Sequence, residues 1–303
     1  MIAIVCPGQG AQKPGLLNDW LDVEGVREHL DALSEAADLD LVHYGTEADE
    51  ETIRDTAVAQ PLIVAAGLIA GAALRDAFAD RTDVVFAGHS VGEITASALS
   101  GALSESDAMT FVRTRARAMA QAAAATPTGM SAVLSPLEDQ ARAAIEAAGL
   151  TPANVNGSGQ IVAAGTLEQL EAFAANPPAK ARVIPLKVAG AFHTEHMRPA
   201  LEPLRELVPQ LTPQQPSAPL LSNYDGTAVA DGAANLDSLV EQVCRPVRWD
   251  LCMQQLTTMG VEHMIELPPA GTLVGLAKRG LKSTATLAVN SPADLDTART
   301  ILI

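Results

Sequence analysis

The apolar run Val84-Val85-Phe86-Ala87 leads straight into Gly88-His89-Ser90-Val91-Gly92, which opens onto the helix-compatible stretch Glu93-Ile94-Thr95-Ala96-Ser97-Ala98-Leu99. A strand that turns into a helix within so few residues leaves no room for Cβ atoms at its tightest points, and the two glycines supply that room. The Ser90 hydroxyl is left standing clear of the backbone at a helix N-terminus, where free N–H groups favour developing negative charge. Ser90 is therefore a candidate nucleophile. A solvent-facing serine in a glycine-rich turn would carry the same five letters, so the assignment needs partners elsewhere in the chain.

The rest of the chain alternates strand-like and helical runs, which predicts an α/β fold with a largely parallel sheet. Residues 2–6 read as a strand, 17–36 and 60–78 as helices, and 84–87 as the strand feeding the turn. Ser104-Glu105-Ser106-Asp107 is a helix N-cap signature; that helix runs to about residue 125 and stops at Thr126-Pro127-Thr128-Gly129. The rhythm then changes. A β run (130–134), a helix (137–148), a hairpin (153–156 and 160–164) about Gly157-Ser158-Gly159, a helix (167–175) and a strand (182–188) follow in the β-α-β-β-α-β order of a ferredoxin-like module. The expected architecture is a large α/β-hydrolase-like domain with a parallel sheet core, made by residues 1–127 and 191–303, with a small ferredoxin-like subdomain inserted at 128–190. Helix 195–208, strand 219–222, helix 236–243, a helix after Trp249, strand 263–267 and a last helix from Thr272 complete the large domain.

Composition bounds the partners. The formal net charge of −16 argues against general affinity for nucleic acid or an anionic membrane. The acid is uneven: residues 1–75 carry 13 Asp/Glu against 4 Lys/Arg, whereas residues 180–282 carry 10 of each. An acidic macromolecular partner would therefore dock on the later part. No apolar run reads as long enough to span a membrane. Residues 1–6 lack a basic flank and read as a first strand rather than a signal peptide. Cys6, Cys244 and Cys252 are odd in number and have no C-x-x-C spacing, as in buried thiols of a reduced cytoplasmic protein. No zinc motif is present.

A serine nucleophile needs a base. Among the six histidines, His29 and His43 lie in the acidic N-terminal region and are expected at the surface. His89 adjoins Ser90 and cannot easily turn back onto its hydroxyl. His193 and His196 lie where the inserted module rejoins the main domain, a place where clefts form; position favours His193. Arg115 falls in the middle of an apolar helical stripe with Phe111, Val112 and Met119, while Arg113 and Arg117 take another face. A guanidinium there is either paired with a buried carboxylate or held for an anionic ligand. Pro7-Gly8-Gln9-Gly10-Ala11-Gln12, after the first strand, lacks the spacing of a phosphate loop but could supply oxyanion-binding N–H groups.

Gly8–Gln12, Gly88–Glu93, the Arg115 helix, Asn154-Val155-Asn156-Gly157-Ser158-Gly159-Gln160, Gly190-Ala191-Phe192-His193, Arg245-Pro246-Val247-Arg248-Trp249 and the segment 273–278 occur in one fixed order. Together they closely resemble the malonyl-CoA:acyl carrier protein transacylase family, of the actinobacterial type that serves fatty acid synthesis. The resemblance implies Ser90 as nucleophile, His193 as base and Arg115 as the holder of the malonyl carboxylate. It further implies the backbone N–H groups of Gln9 and Val91 as the oxyanion hole, the main-chain carbonyl of Gln242 as the group orienting the histidine, and Asn156 as a site-lining residue. Ala191-Phe192-His193 is similar to the motif that accompanies malonyl specificity in related polyketide acyltransferase domains, with Gly190 where those domains usually have His. The implied substrates are malonyl-CoA and an acyl carrier protein whose phosphopantetheine thiol is the acceptor, with no cofactor or metal, and a monomeric enzyme. Lys180, Arg182, Lys187, Arg245, Arg248, Lys278, Arg279 and Lys282 are candidates for the local basic patch that an acidic carrier would need.

A serine hydrolase such as a thioesterase would share the turn but has no use for Arg115, and no HGGG-type motif is present. The transacylase subunit of a malonate decarboxylase would share the chemistry with a different carrier. A non-enzymatic carrier-docking subunit would need none of the serine, histidine and arginine.

Overall fold

The first two strands of the chain are buried on both faces. The computed structural model describes residues 1–303. The chain gives β1 (Ile2–Cys6) and β2 (Val84–Gly88) to a first sheet, then β3 (Thr128–Leu134), β4 (Thr151–Gly157), β5 (Gln160–Thr166) and β6 (Arg182–Pro185) to a second, and returns to the first with β7 (Leu220–Leu221), β8 (His263–Glu266) and β9 (Ala285–Ala288). The first sheet has the order β7-β2-β1-β8-β9 and every pair in it is parallel. Ile2, Ile4, Cys6, Val84 and Phe86 enter the larger core on one face, and Ala3, Val5, Val85 and Ala87 enter a second core on the other. This is the period-two alternation of a strand whose two sides are both apolar, as a helix-covered parallel sheet requires.

The β1–β2 register, from Ile2 opposite Val84 to Cys6 opposite Gly88, brings the C-terminal ends of both strands level. The loops that leave them, Pro7-Gly8-Gln9 and His89-Ser90, therefore emerge side by side, and the His89 N–H donates to the Cys6 carbonyl at 2.9 Å. Ligand sites of parallel sheets form at this edge.

The second sheet, of order β4-β5-β3-β6, is antiparallel throughout and carries helices Glu138–Ala147 and Leu167–Ala175 over a separate small core. It is stitched to the larger body through Val247, whose backbone exchanges hydrogen bonds of 2.9 Å with Ala153 and Val155.

Several expected elements are corrected. The span 17–36 is a 3-10 turn at Asp19–Asp22 followed by helix Val26–Ala37, because Gly25 between them takes a left-handed φ of 78°. The span 195–208 begins as a 3-10 segment, Glu195–Ala200, in which Pro199 lacks an N–H for a regular helix, and becomes α-helical only over Leu201–Leu207. The helix from Thr272 is not the last: β9 and helix Leu295–Leu302 follow it.

The helix read from residue 60 starts at Thr56, where the Asp55 side chain caps the Ala57 N–H, and runs 23 residues to Phe78. Its best 18-residue window has a mean hydropathy of 2.0, so one helix does reach membrane-spanning length, contrary to the sequence reading. Gln60 and Pro61 interrupt the apolar run in the sequence. In the fold, 78% of that window is buried, against neighbours that include the Arg115 helix, Glu105–Ala125.

Candidate active site

The turn after β2 is built by two close approaches. A Cβ on Gly88 would overlap the Gly92 carbonyl and the Glu93 nitrogen, and a Cβ on Gly92 would overlap the Cys6 carbonyl. Ser90, between them, is held at φ 54°, a left-handed conformation that a non-glycine residue keeps only when its surroundings fix it. Asn223, just after β7, fixes it: its Oδ1 accepts from the Ser90 N–H at 2.8 Å and its Nδ2 donates to the Gly88 carbonyl at 2.7 Å. His193 also has a left-handed φ, 61°.

Ser90 Oγ and His193 Nε2 lie 2.7 Å apart. His193 Nδ1 lies 2.9 Å from the Gln242 main-chain carbonyl, which can only accept, so Nδ1 carries the proton and Nε2 is free to accept the serine's. Burial first, and then the charge of Arg115, pull the imidazole down to about 3, while the Gln242 carbonyl opposes them. The imidazole is thus neutral at ordinary pH. His196 is partly exposed and makes no side-chain hydrogen bond to Ser90; His29 pairs with Glu105 at 2.5 Å, and His43 is half exposed.

Arg115 is 1% exposed and donates to the Gln60 Oε1 at 2.6 Å, the Gln242 Oε1 at 2.9 Å and the Ser90 Oγ at 3.3 Å. Its Nε has no partner. Of the alternatives that sequence left open, a buried salt bridge is not the one adopted: the acceptors are two neutral amides and a hydroxyl. Burial lowers the guanidinium to about 10, with Glu93 opposing. Gln242 is fully occupied, since its side-chain N–H group donates to the Ser90 carbonyl at 3.2 Å and to Glu93. Arg113 and Arg117 instead face Asp38 at 3.9 and 3.1 Å.

A cleft of about 190 Å³ lies over Ser90 between the two sheets' bodies. Gln9, Val91, Asn156, Phe192 and His193 line it with Ser90, so the sequence-selected residues converge on one space. Gln242 and Arg115 stand just behind that wall, both buried. The Gln9 and Val91 backbone N–H groups donate to no carbonyl among the loop and turn hydrogen bonds. Asn156 accepts from the His89 ring at 2.9 Å, which ties the small module to the turn. Asn154, also lining the cleft, has a buried Oδ1 without a partner, an acceptor free for a ligand N–H.

Sequence reasoning missed Gln60, Glu93 and Asn223 and the side-chain role of Gln242. Only Glu93 had a signal, as a carboxylate in the first turn of a largely apolar helix.

The model of the acyl transferase domain matches residues 3–299. The chain belongs to the acyl transferase family. This acyltransferase is 52% identical over 297 residues to the malonyl CoA-acyl carrier protein transacylase of Mycobacterium tuberculosis, with 98% of each chain covered. The crystal structure of MCAT from Mycobacterium tuberculosis superposes with a TM-score of 0.96 at 51% identity, covering 99% of both chains. A type II PKS acyl-carrier protein in complex with its malonyl-transacylase contains a chain of TM-score 0.91 and 29% identity, again with 99% of both chains covered.

Proposed function

We propose that this acyltransferase moves the malonyl group of malonyl-CoA to the phosphopantetheine thiol of an acyl carrier protein through a malonyl-Ser90 intermediate, supplying fatty acid synthesis. The observation that carries the reading is Arg115: a buried cation, bonded only to neutral groups, 3.3 Å from the nucleophile. Ester hydrolysis in general has no use for it, whereas a malonyl thioester presents a free carboxylate that a guanidinium can fork with paired N–H···O bonds.

His193 takes the Ser90 proton as Oγ attacks the thioester carbonyl. The Gln9 and Val91 N–H groups stabilise the oxyanion, an interaction worth about 3 kcal/mol per donor. The C–S bond breaks, and the proton passes from His193 to the departing coenzyme A thiol. The carrier's thiol then gives its proton to His193 and attacks the ester carbonyl, and Ser90 recovers the proton as it leaves. Gln242 holds the His193 tautomer, and Phe192 closes the wall against the acyl group. No cofactor or metal enters the cycle.

The small module reads as ferredoxin-like, supported by its β-α-β-β-α-β order and its β4-β5-β3-β6 sheet. We place it at 128–190 as an insert in a hydrolase-like domain of residues 1–127 and 191–303. The carrier is proposed to dock at the cleft mouth beside Arg279, which reaches Gln160 of the cleft wall at 3.4 Å. Arg245 and Arg248 are less available, being paired with Glu241 and Asp250. We further propose a monomeric cytoplasmic enzyme, and the formal net charge of −16 argues against nucleic acid or an anionic membrane as its partner. Incubation with malonyl-CoA and holo-carrier protein should build malonyl-carrier; release of free malonate at a rate indifferent to the carrier would favour a hydrolase instead.

A further inference from the structure

Glu93, three residues after the nucleophile, is 3% exposed and faces donors on both oxygens. Its Oε1 accepts from the Asn223 backbone N–H at 3.0 Å, and its Oε2 accepts from the Gln242 side chain. The same Gln242 amide accepts from Arg115 at 2.9 Å through its Oε1. A guanidinium can only donate, so the amide orientation is forced: oxygen toward Arg115, nitrogen toward Glu93. The buried cation and the buried carboxylate are therefore one amide apart, and with both ionised their charges cancel across Gln242.

Loading the site upsets that balance. An acyl carboxylate on Arg115 adds a second negative charge beside these two buried groups, and a carboxyl group relieves such an excess by binding a proton. We propose that Glu93 is the counter-charge and positioning residue of Arg115, acting through Gln242, and that formation of malonyl-Ser90 draws a proton from solvent onto Glu93. The inference rests on the reading of Arg115 as the carboxylate holder. Acyl transfer itself sends the Ser90 proton to the coenzyme A thiol, so the proton on Glu93 comes from the buffer and returns to it when the acyl group leaves.

Burial pushes the Glu93 carboxyl up to about 8 before any ligand arrives, against the pull of Asn223, Gln242 and Arg115. The other titratable group facing Glu93 is the Cys252 thiol behind Asn223, which burial keeps protonated. The remaining helices packed here present neutral groups, Gly67 against Thr95, Gly71 against Leu99 and Asn235 against Ser97. Beyond Ser90, His193 is already neutral.

The test is single-turnover loading with malonyl-CoA in weak buffer with a pH indicator. Loading is counted by intact mass, and the ionisation of an equal amount of free coenzyme A is subtracted. Wild-type enzyme should take up most of a proton per loaded site near pH 8.5 and little near pH 6, where Glu93 is already protonated. Glu93→Gln should load with no uptake at either pH. A wild-type uptake that is absent or unchanged between the two pH values overturns the proposal without recourse to the variant, as does an uptake that survives in folded Glu93→Gln. Arg115→Ala separates the two readings. If that variant keeps the wild-type preference for malonyl-CoA over acetyl-CoA, the carboxylate-holder reading has failed. If it loses the preference while wild type shows no pH-dependent uptake, only the role of Glu93 has failed.

Discussion

Replacing Arg115 with alanine should convert a malonyl-selective enzyme into one that treats malonyl and acetyl thioesters alike. A charge-assisted hydrogen bond contributes about 1.5–3 kcal/mol, so a forked pair between the guanidinium and a carboxylate is worth about 3–6 kcal/mol. That gross figure is reduced because Arg115 already donates to Gln60 at 2.6 Å and Gln242 at 2.9 Å, and the substrate must replace or share those bonds. The lower half of the range is therefore the better expectation, and at about 1.4 kcal/mol per tenfold it corresponds to roughly 10²- to 10³-fold in kcat/KM for malonyl-CoA. Acetyl-CoA offers no carboxylate and should change by less than about tenfold, chiefly through the loss of the 3.3 Å contact with Ser90 Oγ. The assay is transfer to holo-carrier protein with each thioester, read as kcat/KM. A parallel fall for both substrates would refute the reasoning, because Arg115 would then be acting on the nucleophile or the fold rather than on the acyl carboxylate.

Other outcomes follow from the same geometry. His193 titrates at about 3 in the folded protein, so kcat/KM should show no acid-side loss centred near 6.5, the ordinary histidine value. The unfolded chain binds that proton first, so the stability contributed by neutral His193 is present above about pH 6.5 and lost as pH falls toward 3; urea midpoints at pH 7 and pH 5 check the sign. Gly88→Ala and Gly92→Ala each force a Cβ into backbone and should cost more than about 2 kcal/mol, seen as a lowered Tm or a failure to fold. Asn223→Ala strands the Ser90 N–H and the Gly88 carbonyl and should cost about 1–3 kcal/mol in stability, with kcat falling further than Tm alone explains.

What could be read in advance was what local chemistry dictates. The strand-turn-helix about Ser90, the parallel sheet and the apolar setting of Arg115 each express spacing within a single element, and the structure contains all three. The partners of Arg115 are another matter. Gln60 and Gln242 lie 55 and 127 residues away, and as ordinary amides they carry no pattern until the fold brings them together. Asn223 is 133 residues from Ser90 and follows a two-residue strand that gives little signal of its own. β9 was missed because four half-exposed residues at a sheet edge lack a clear alternation. The long helix was underestimated for the opposite reason: Gln60 interrupts its apolar run, yet it is buried with the rest because Arg115 and Met119 supply its polar contacts.

The central claim is that Ser90 carries the malonyl group between two thiols. Intact mass measured after brief mixing with malonyl-CoA should show an adduct of about 86 Da on the wild-type chain, none on Ser90→Ala, and its disappearance onto the carrier when holo-carrier protein is added. An adduct that persists in folded Ser90→Ala, or that is lost to water as fast without the carrier as with it, would contradict the account.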